Sequence, residues 1–213
     1  MTKNKNLEYV YKKNLGINWT LAWKKNPGPM YDKLREQKTG EFKIINRFVK
    51  FNTGHVVLDF GVGIGLIAEC VSEVAGKVYG WDIDPLMLNY CRDMYPKIDN
   101  MEMLVPNVSL DDLHGLGINV IMANNVVSHF YSTSEFKQLL SKFSDLLPSG
   151  GLIWFDWNNS AYQKEDSMEF HPRQNHRCMS IKQIQEAVNS QQTLKTVFIA
   201  DKMYCSKTLL KKI

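Results

Sequence analysis

The apolar run His55 to Phe60 opens directly into Gly61-Val62-Gly63-Ile64-Gly65, and no other feature restricts the chain so strongly. The run is rich in Val and Leu without polar alternation, as expected of a strand buried on both faces of a parallel sheet. Glycine at alternate positions removes the Cβ and admits left-handed dihedrals, which a backbone needs where it must touch a ligand. Asp59 falls at the strand's end, where its carboxylate can orient the loop or reach an ammonium group directly or through water.

From Gly54 onward, short β-rich runs alternate with helical patterns, the signature of a parallel sheet with helices on its faces. After the glycines, Leu66, Ile67, Cys70, Val71 and Val74 form one helical stripe that stops at Gly76. A second strand, Lys77 to Ile83, ends at Asp84-Pro85, where Asp84 caps a helix and Pro85 suits its first turn. That helix runs to about Tyr95. A third strand lies near Met101 to Val105, a fourth at Asn119 to Ala123 and a fifth at Leu152 to Trp157. Ser132 with Glu135 and Ser180 with Gln183 read as capping boxes of two further helices. The stretch from Lys195 to Ile213 reads as two strands meeting near Ser206.

Two regions escape this alternation: residues 1–53, and a polar insert from about 158 to 179. The first carries Trp19, Trp23 and Tyr31 and then a helical pattern from Met30 to Phe51 with Leu34, Ile44, Ile45, Phe48 and Val49. The organisation expected is an N-terminal helical lid or substrate segment, 1–53, on a single cofactor-binding domain, 54–213. With 213 residues of which 44% are hydrophobic, the chain can bury one sizeable core.

The net charge of +4 comes from 26 basic and 22 acidic residues spread along the chain. Without a long basic run, nucleic acid is permitted as a substrate and not indicated. Cys70, Cys91, Cys178 and Cys205 are scattered, which suits a reducing compartment. No stretch has the length of a membrane span or a signal h-region, so the expectation is a cytoplasmic protein, monomer or homodimer, without a membrane partner.

The glycine loop admits a nicotinamide reading, because Gly63-x-Gly65-x-x-Ala68 satisfies the relaxed dinucleotide fingerprint. That reading leaves Gly61 and Asp59 unexplained and starts the helix too late. A plain strand-to-helix turn is the remaining alternative. Asp82, 23 residues after Asp59, places a carboxylate where a ribose diol would be held, a role common to both cofactors.

The segments Val57 to Gly65, Val78-Tyr79-Gly80-Trp81-Asp82-Ile83-Asp84-Pro85 and Leu147-Pro148-Ser149-Gly150-Gly151-Leu152 together resemble class I S-adenosyl-L-methionine (SAM)-dependent methyltransferases of the small single-domain kind. The resemblance covers about residues 54–213. It implies an α/β, Rossmann-like, doubly wound seven-stranded sheet, mostly parallel with an antiparallel last strand and helices on both faces. It implies SAM as cofactor and S-adenosyl-L-homocysteine (SAH) as product. Gly61, Val62, Gly63 and Gly65 would cradle the methionine part, Asp82 and Ile83 the ribose, and Asn107 and Val108 the adenine side. Asn107 stands where the family usually has Asp. Asn124 would face the transferable methyl.

For the acceptor the residues leave more open. His129, a candidate catalytic base, follows the fourth strand where the resembling family often carries His, and it also reads as a loop-packing histidine. Asp156, at the end of the fifth strand, can orient a substrate or its base, or simply cap a loop. His171, His176 and Cys178 match no common zinc spacing, so no metal is expected. The turn Ala123-Asn124-Asn125-Val126-Val127 lacks the Pro-Pro-aromatic pattern of base-amino methylation. Asn124 and Asp156-Trp157-Asn158 likewise do not reproduce the carboxylates of the metal-dependent catechol type. Trp19, Trp23, Tyr31 and His171 are candidate substrate contacts. The expected activity is methyl transfer to a small-molecule or sugar-like acceptor, on oxygen before nitrogen. RNA or protein methylation, a non-catalytic SAM-binding protein and a nicotinamide-dependent oxidoreductase are the alternatives.

Overall fold

Strands that are Val- and Leu-rich on both faces need helices above and below them, and the chain supplies helices on both faces of the sheet. A computed structural model describes residues 28–105, 108–130, 132–159, 170–171, 176–200 and 205–213. In chain order it contains α1 (Gly28–Val49), β1 (Val56–Phe60), α2 (Leu66–Ser72), β2 (Lys77–Trp81), α3 (Pro85–Met94), β3 (Met101–Met103) and β4 (Val120–Ala123). These are followed by α4 (Thr133–Leu146), β5 (Leu152–Asn159), β6 (Phe170–His171), β7 (His176–Met179), α5 (Ile181–Asn189), β8 (Leu194–Ala200) and β9 (Cys205–Lys212). Short 3-10 turns occupy Leu110–Leu116 and Val127–His129.

The parallel strands run in the order β3-β2-β1-β4-β5, and β9 then pairs antiparallel with both β5 and β8. This is the doubly wound sheet with an antiparallel last strand that the sequence leads one to expect. The polar insert departs from expectation by holding the hairpin β6–β7. Its cause is visible in the register: β4 ends opposite Phe155, and β5 continues to Asn159, where Asn158 and Asn159 pair with β7. The hairpin covers an edge that would otherwise present unpaired backbone groups.

Alternate residues of each strand feed two cores. Leu58, Ile121, Phe155 and Leu210 pack under α4 and α5, whereas Val57, Val120, Met122 and Trp154 pack under α1, α2 and α3. Of the stripe expected on α1, Ile45 and Val49 are buried, while Ile44 points outward with 41% exposure. Phe48 is half-exposed and stacks on Phe198 at 4.1 Å and on Trp154 at 6.0 Å. The inward positions of α1 are Leu34, Lys38, Glu41, Phe42, Ile45 and Val49, so its buried stripe becomes charged toward its N-terminus.

Three expected caps are in place. Asp84 Oδ1 accepts from Leu86 N–H at 2.8 Å with Pro85 beginning α3, and Ser132 Oγ accepts from Glu135 N–H at 3.2 Å. Ser180 forms a full capping box with Gln183. Ser180→Ala is expected to lower unfolding free energy by about 1 kcal/mol, readable as a reduced midpoint in urea with unchanged slope. No helix among the described residues is long and apolar enough to cross a membrane.

Candidate cofactor site

The strand order reverses direction between β1 and β4, and in such sheets the crevice beyond the strands' carboxyl ends at that point is where ligands bind. Here the crevice is lined by the glycine loop from β1 and the turn Asn124–Val126 from β4. Gly61, Gly63 and Gly65 have φ of 80°, 56° and 80°. A Cβ on Gly61 would meet Val126 Cγ2 at 2.5 Å, and one on Gly65 would meet Tyr95 Cε2 at 2.7 Å, so both glycines allow close packing of the protein on itself. Among the described residues, a Cβ on Gly63 would meet nothing within 4 Å, so the middle glycine borders space that none of them fills.

The loop is fastened from several sides. Gly61 and Val62 N–H donate to Trp81 O at 2.7 and 2.9 Å, Cys91 Sγ donates to Gly63 O at 3.2 Å, and Gly63 N–H donates to Asp82 Oδ2 at 2.9 Å. Asp82 Oδ1 accepts from Asp84 N–H at 2.9 Å. Burial, then the Asp59 and Asp82 carboxylates, push the Cys91 thiol up to about 12, which keeps it a neutral donor.

Electrostatically the crevice is poised for a cation. Asp59 is 3% exposed, and burial, then the neighbouring Asp82 carboxylate, push it up to about 7 against the pull of the Lys38 ammonium. Burial also raises Asp82, opposed by its N–H donors from Asp84 and Gly63. A buried carboxylate raised by burial and by its neighbour's charge is relieved by a positive ligand.

On the other side of the crevice, Ala123 pairs with Phe155, so Asn124 and Asp156 lie side by side one residue further on, and Asp156 pairs with Lys207. Asn124 Nδ2 is buried without an acceptor among the described residues. Such an orphaned donor costs about 1–3 kcal/mol and marks a place for a ligand oxygen. Asp156 accepts from the N–H of Asn125, which holds a left-handed φ of 58°. Burial raises Asp156, while the Asn125 N–H and then Lys207 oppose that rise.

Of the remaining candidates, His129 is exposed at the end of the second 3-10 turn. Ile83 is 42% exposed just beyond Asp82. Val108 is half-buried, and its carbonyl accepts from Trp81 Nε1 at 3.1 Å, which ties the chain after β3 to β2. Trp19, Trp23 and Asn107 lie outside the described residues, as do the side chains of Tyr31 and His171. Among the described residues no cluster of three metal-ligating side chains occurs. Sequence reading missed Lys38, Glu41, Val126 and Cys91.

A doubly wound sheet with a glycine cradle and buried carboxylates at its switch point defines an α/β domain that binds a nucleotide-like cofactor. Residues 57–151 match the methyltransferase-domain family. A probable ribosomal RNA small subunit methyltransferase A of Methanococcus maripaludis is 30% identical over 82 residues, covering 38% of this chain and 31% of that one. A demethylmenaquinone methyltransferase of Chlorobaculum tepidum is 29% identical over 99 residues, covering 46% and 38%. Among solved structures, a SAM-dependent methyltransferase from Clostridium acetobutylicum superposes with a TM-score of 0.65 at 15% identity, covering 86% of this chain and 96% of that one. Residues 57–151 are thus similar to the methyltransferase-domain family, and the fold of the described residues is that of a SAM-dependent methyltransferase of known structure. The chain spans between about 30% and 40% of the length of these two curated relatives.

Proposed function

We propose that this chain is a SAM-dependent methyltransferase acting on a small polar or sugar-like acceptor, at oxygen in preference to nitrogen. The observation that carries the cofactor reading is the pair Asp59 and Asp82 around a glycine cradle whose centre, Gly63, borders space that no described residue fills. When bound, SAM supplies a methyl group on a positively charged sulfur, which a nucleophile displaces in line. Gly61 to Gly65 hold the aminoacyl end against the loop, Asp59 faces its ammonium, and Asp82 accepts from the ribose hydroxyls while keeping Gly63 N–H in place. Ile83 and Val108 offer apolar surface to the adenine, with Asn107 beside its amino group. Asn124 donates to a ligand oxygen.

The preference for oxygen rests on Asp156. A hydroxyl must lose its proton early, and a buried carboxylate held above its ordinary range is a stronger base than an exposed one. Asp156 lies beside Asn124 at the crevice, with Asn125 fixing its orientation. His129, exposed at the end of its 3-10 turn, is the second candidate base. Trp19, Trp23, Tyr31 and His171 are the proposed acceptor contacts, and residues 1–53 the proposed lid or substrate segment.

Calorimetry with SAM, SAH and reduced nicotinamide cofactor tests the ligand. SAH is expected to bind, and Asp82→Ala to weaken it at least about tenfold, the worth of losing hydrogen bonds to a charged acceptor. Unchanged SAH affinity in Asp82→Ala would remove the ribose assignment. Mass spectrometry of cell extract incubated with methyl-labelled SAM tests the acceptor: label confined to RNA or protein overturns the small-molecule reading.

A further inference from the structure

The residue before Asp82 bonds to both the glycine loop and the chain that follows β3. The Trp81 carbonyl accepts from Gly61 and Val62 N–H at 2.7 and 2.9 Å, which sets the entry to the loop. Its indole Nε1 donates to Val108 O at 3.1 Å. The first contact is main-chain and any residue could make it. The second depends on the side chain, since a phenylalanine there would carry no donor. Trp81 also packs: it lies opposite Phe60 in the register of β1 and β2, and the two rings stack at 4.4 Å with 4° between their planes. Phe60 in turn meets Phe143 of α4 edge-on at 5.1 Å. Stacking fixes the plane of the indole, and with it the direction of the N–H.

The near end of the chain after β3 is held by other means. Leu104 N–H donates to Gly80 O at 2.9 Å, and Arg92 Nη2 of α3 donates to Met103 O and Leu104 O at 2.9 and 3.0 Å. Val108 lies beyond these bonds. Its own N–H donates to Val105 O at 3.3 Å, a local contact that moves with the segment, whereas the Trp81 indole ties its carbonyl to the sheet. The position of Val108 relative to the glycine loop thus depends on a side chain of β2.

We propose that Trp81 is a positioning residue for the cofactor's base: through its indole N–H it holds Val108 at the distance from the glycine loop that an adenine requires, so that one residue sets both ends of the cofactor site. This deepens the cofactor reading above and rests on it, in particular on Val108 bordering the adenine. Trp81 acts through Val108 and need touch no ligand atom itself. A base edge faced by a displaced segment loses selectivity first, because polar discrimination needs donors and acceptors aligned, whereas apolar contact tolerates a shift.

The test is calorimetry with two probes, SAH and S-inosyl-L-homocysteine, which share ribose, thioether and aminoacyl end and differ along one edge of the base. Wild type is expected to prefer SAH by at least about tenfold. Trp81→Phe keeps a ring against Phe60 and removes the N–H. It should weaken SAH roughly 3- to 10-fold and the inosyl analogue by less than about twofold, so that the preference shrinks. In Trp81→His the imidazole Nε2 can take the place of the indole nitrogen, and the preference should persist even though the melting temperature falls. A Trp81→Phe protein that keeps the full preference would show that Trp81 only packs, and equal losses for both probes would show that it acts on the glycine loop or the fold. Loss of the preference in Trp81→His as well would assign the effect to the ring and not to the N–H. Each of these overturns the inference. Should Trp81→Phe fail to fold, Trp81→Tyr, which also lacks a donor at the indole position, is read by the same two probes. A wild type that binds both probes equally overturns the inference and leaves the cofactor reading intact; absence of SAH binding in wild type overturns both.

Discussion

Asp59→Asn is expected to stabilise the unliganded protein at pH 8 and, at the same pH, to weaken SAH about 100-fold. The two effects have one cause. Asp59 is pushed up to about 7 in the folded state by burial and by Asp82, with Lys38 opposing. The folded protein therefore keeps that proton to a higher pH than the unfolded chain does. The stability this contributes is complete below the ordinary carboxylate value and is lost as pH rises through about 7. Each unit of difference is worth about 1.36 kcal/mol, so wild type loses on the order of 4 kcal/mol from this group between pH 4 and 8. Asparagine has no such proton to lose, and its denaturation midpoint should fall less over that interval. Ligand affinity moves the other way. In wild type, SAH binding strengthens as pH passes 7 and the carboxylate forms; in Asp59→Asn it stays weak and nearly flat. Calorimetric titrations and urea denaturation at pH 5.5, 7 and 8.5 read both. A wild-type affinity independent of pH would refute the assignment of Asp59 to the ligand's ammonium.

How much of this was readable in the sequence follows from the range of the interactions involved. Caps act within one turn, so Asp84 and Ser180 could be recognised from neighbours two or three residues away. The strand–loop–helix junction at Asp59 to Gly65 is equally local. The bond from Gly63 to Asp82 spans 19 residues, and that from Asn125 to Asp156 spans 31; both exist only because β1 lies beside β2 and β4 beside β5. No local pattern encodes such a bond, so Asp156 could be named without its attachment to Asn125. Lys38 and Glu41 were passed over for another reason. In an amphipathic helix a charged residue reads as solvated, and its place on the inward stripe is apparent only once Ile45 and Val49 define which face is buried. The hairpin β6–β7 was missed because its strands are two and four residues long and depend on the part of β5 that runs on beyond β4.

Gly63→Ala is expected to abolish detectable SAH binding while the protein stays folded, and the contrast with its neighbours makes it the sharpest test of where the ligand lies. At Gly61, an added methyl would meet Val126 Cγ2 at 2.5 Å and force the β1 loop from the β4 turn. At Gly65, it would meet Tyr95 at 2.7 Å and Cys91 Sγ at 3.0 Å. In both cases overpacking of about 1–3 kcal/mol adds to left-handed strain of about 1–2 kcal/mol, so lost binding would be hard to separate from lost stability. At Gly63 the methyl meets nothing within 4 Å among the described residues, and the backbone strain at φ 56° is what it adds there. The melting temperature should therefore fall by a few degrees in Gly63→Ala, and further in Gly61→Ala and Gly65→Ala. If the space beside Gly63 is where the aminoacyl end rests, a methyl group there removes the close approach that glycine permits, and affinity should drop more than about 100-fold. A Gly63→Ala protein that melts like wild type and binds SAH like wild type would show that the ligand does not lie against the middle of the loop.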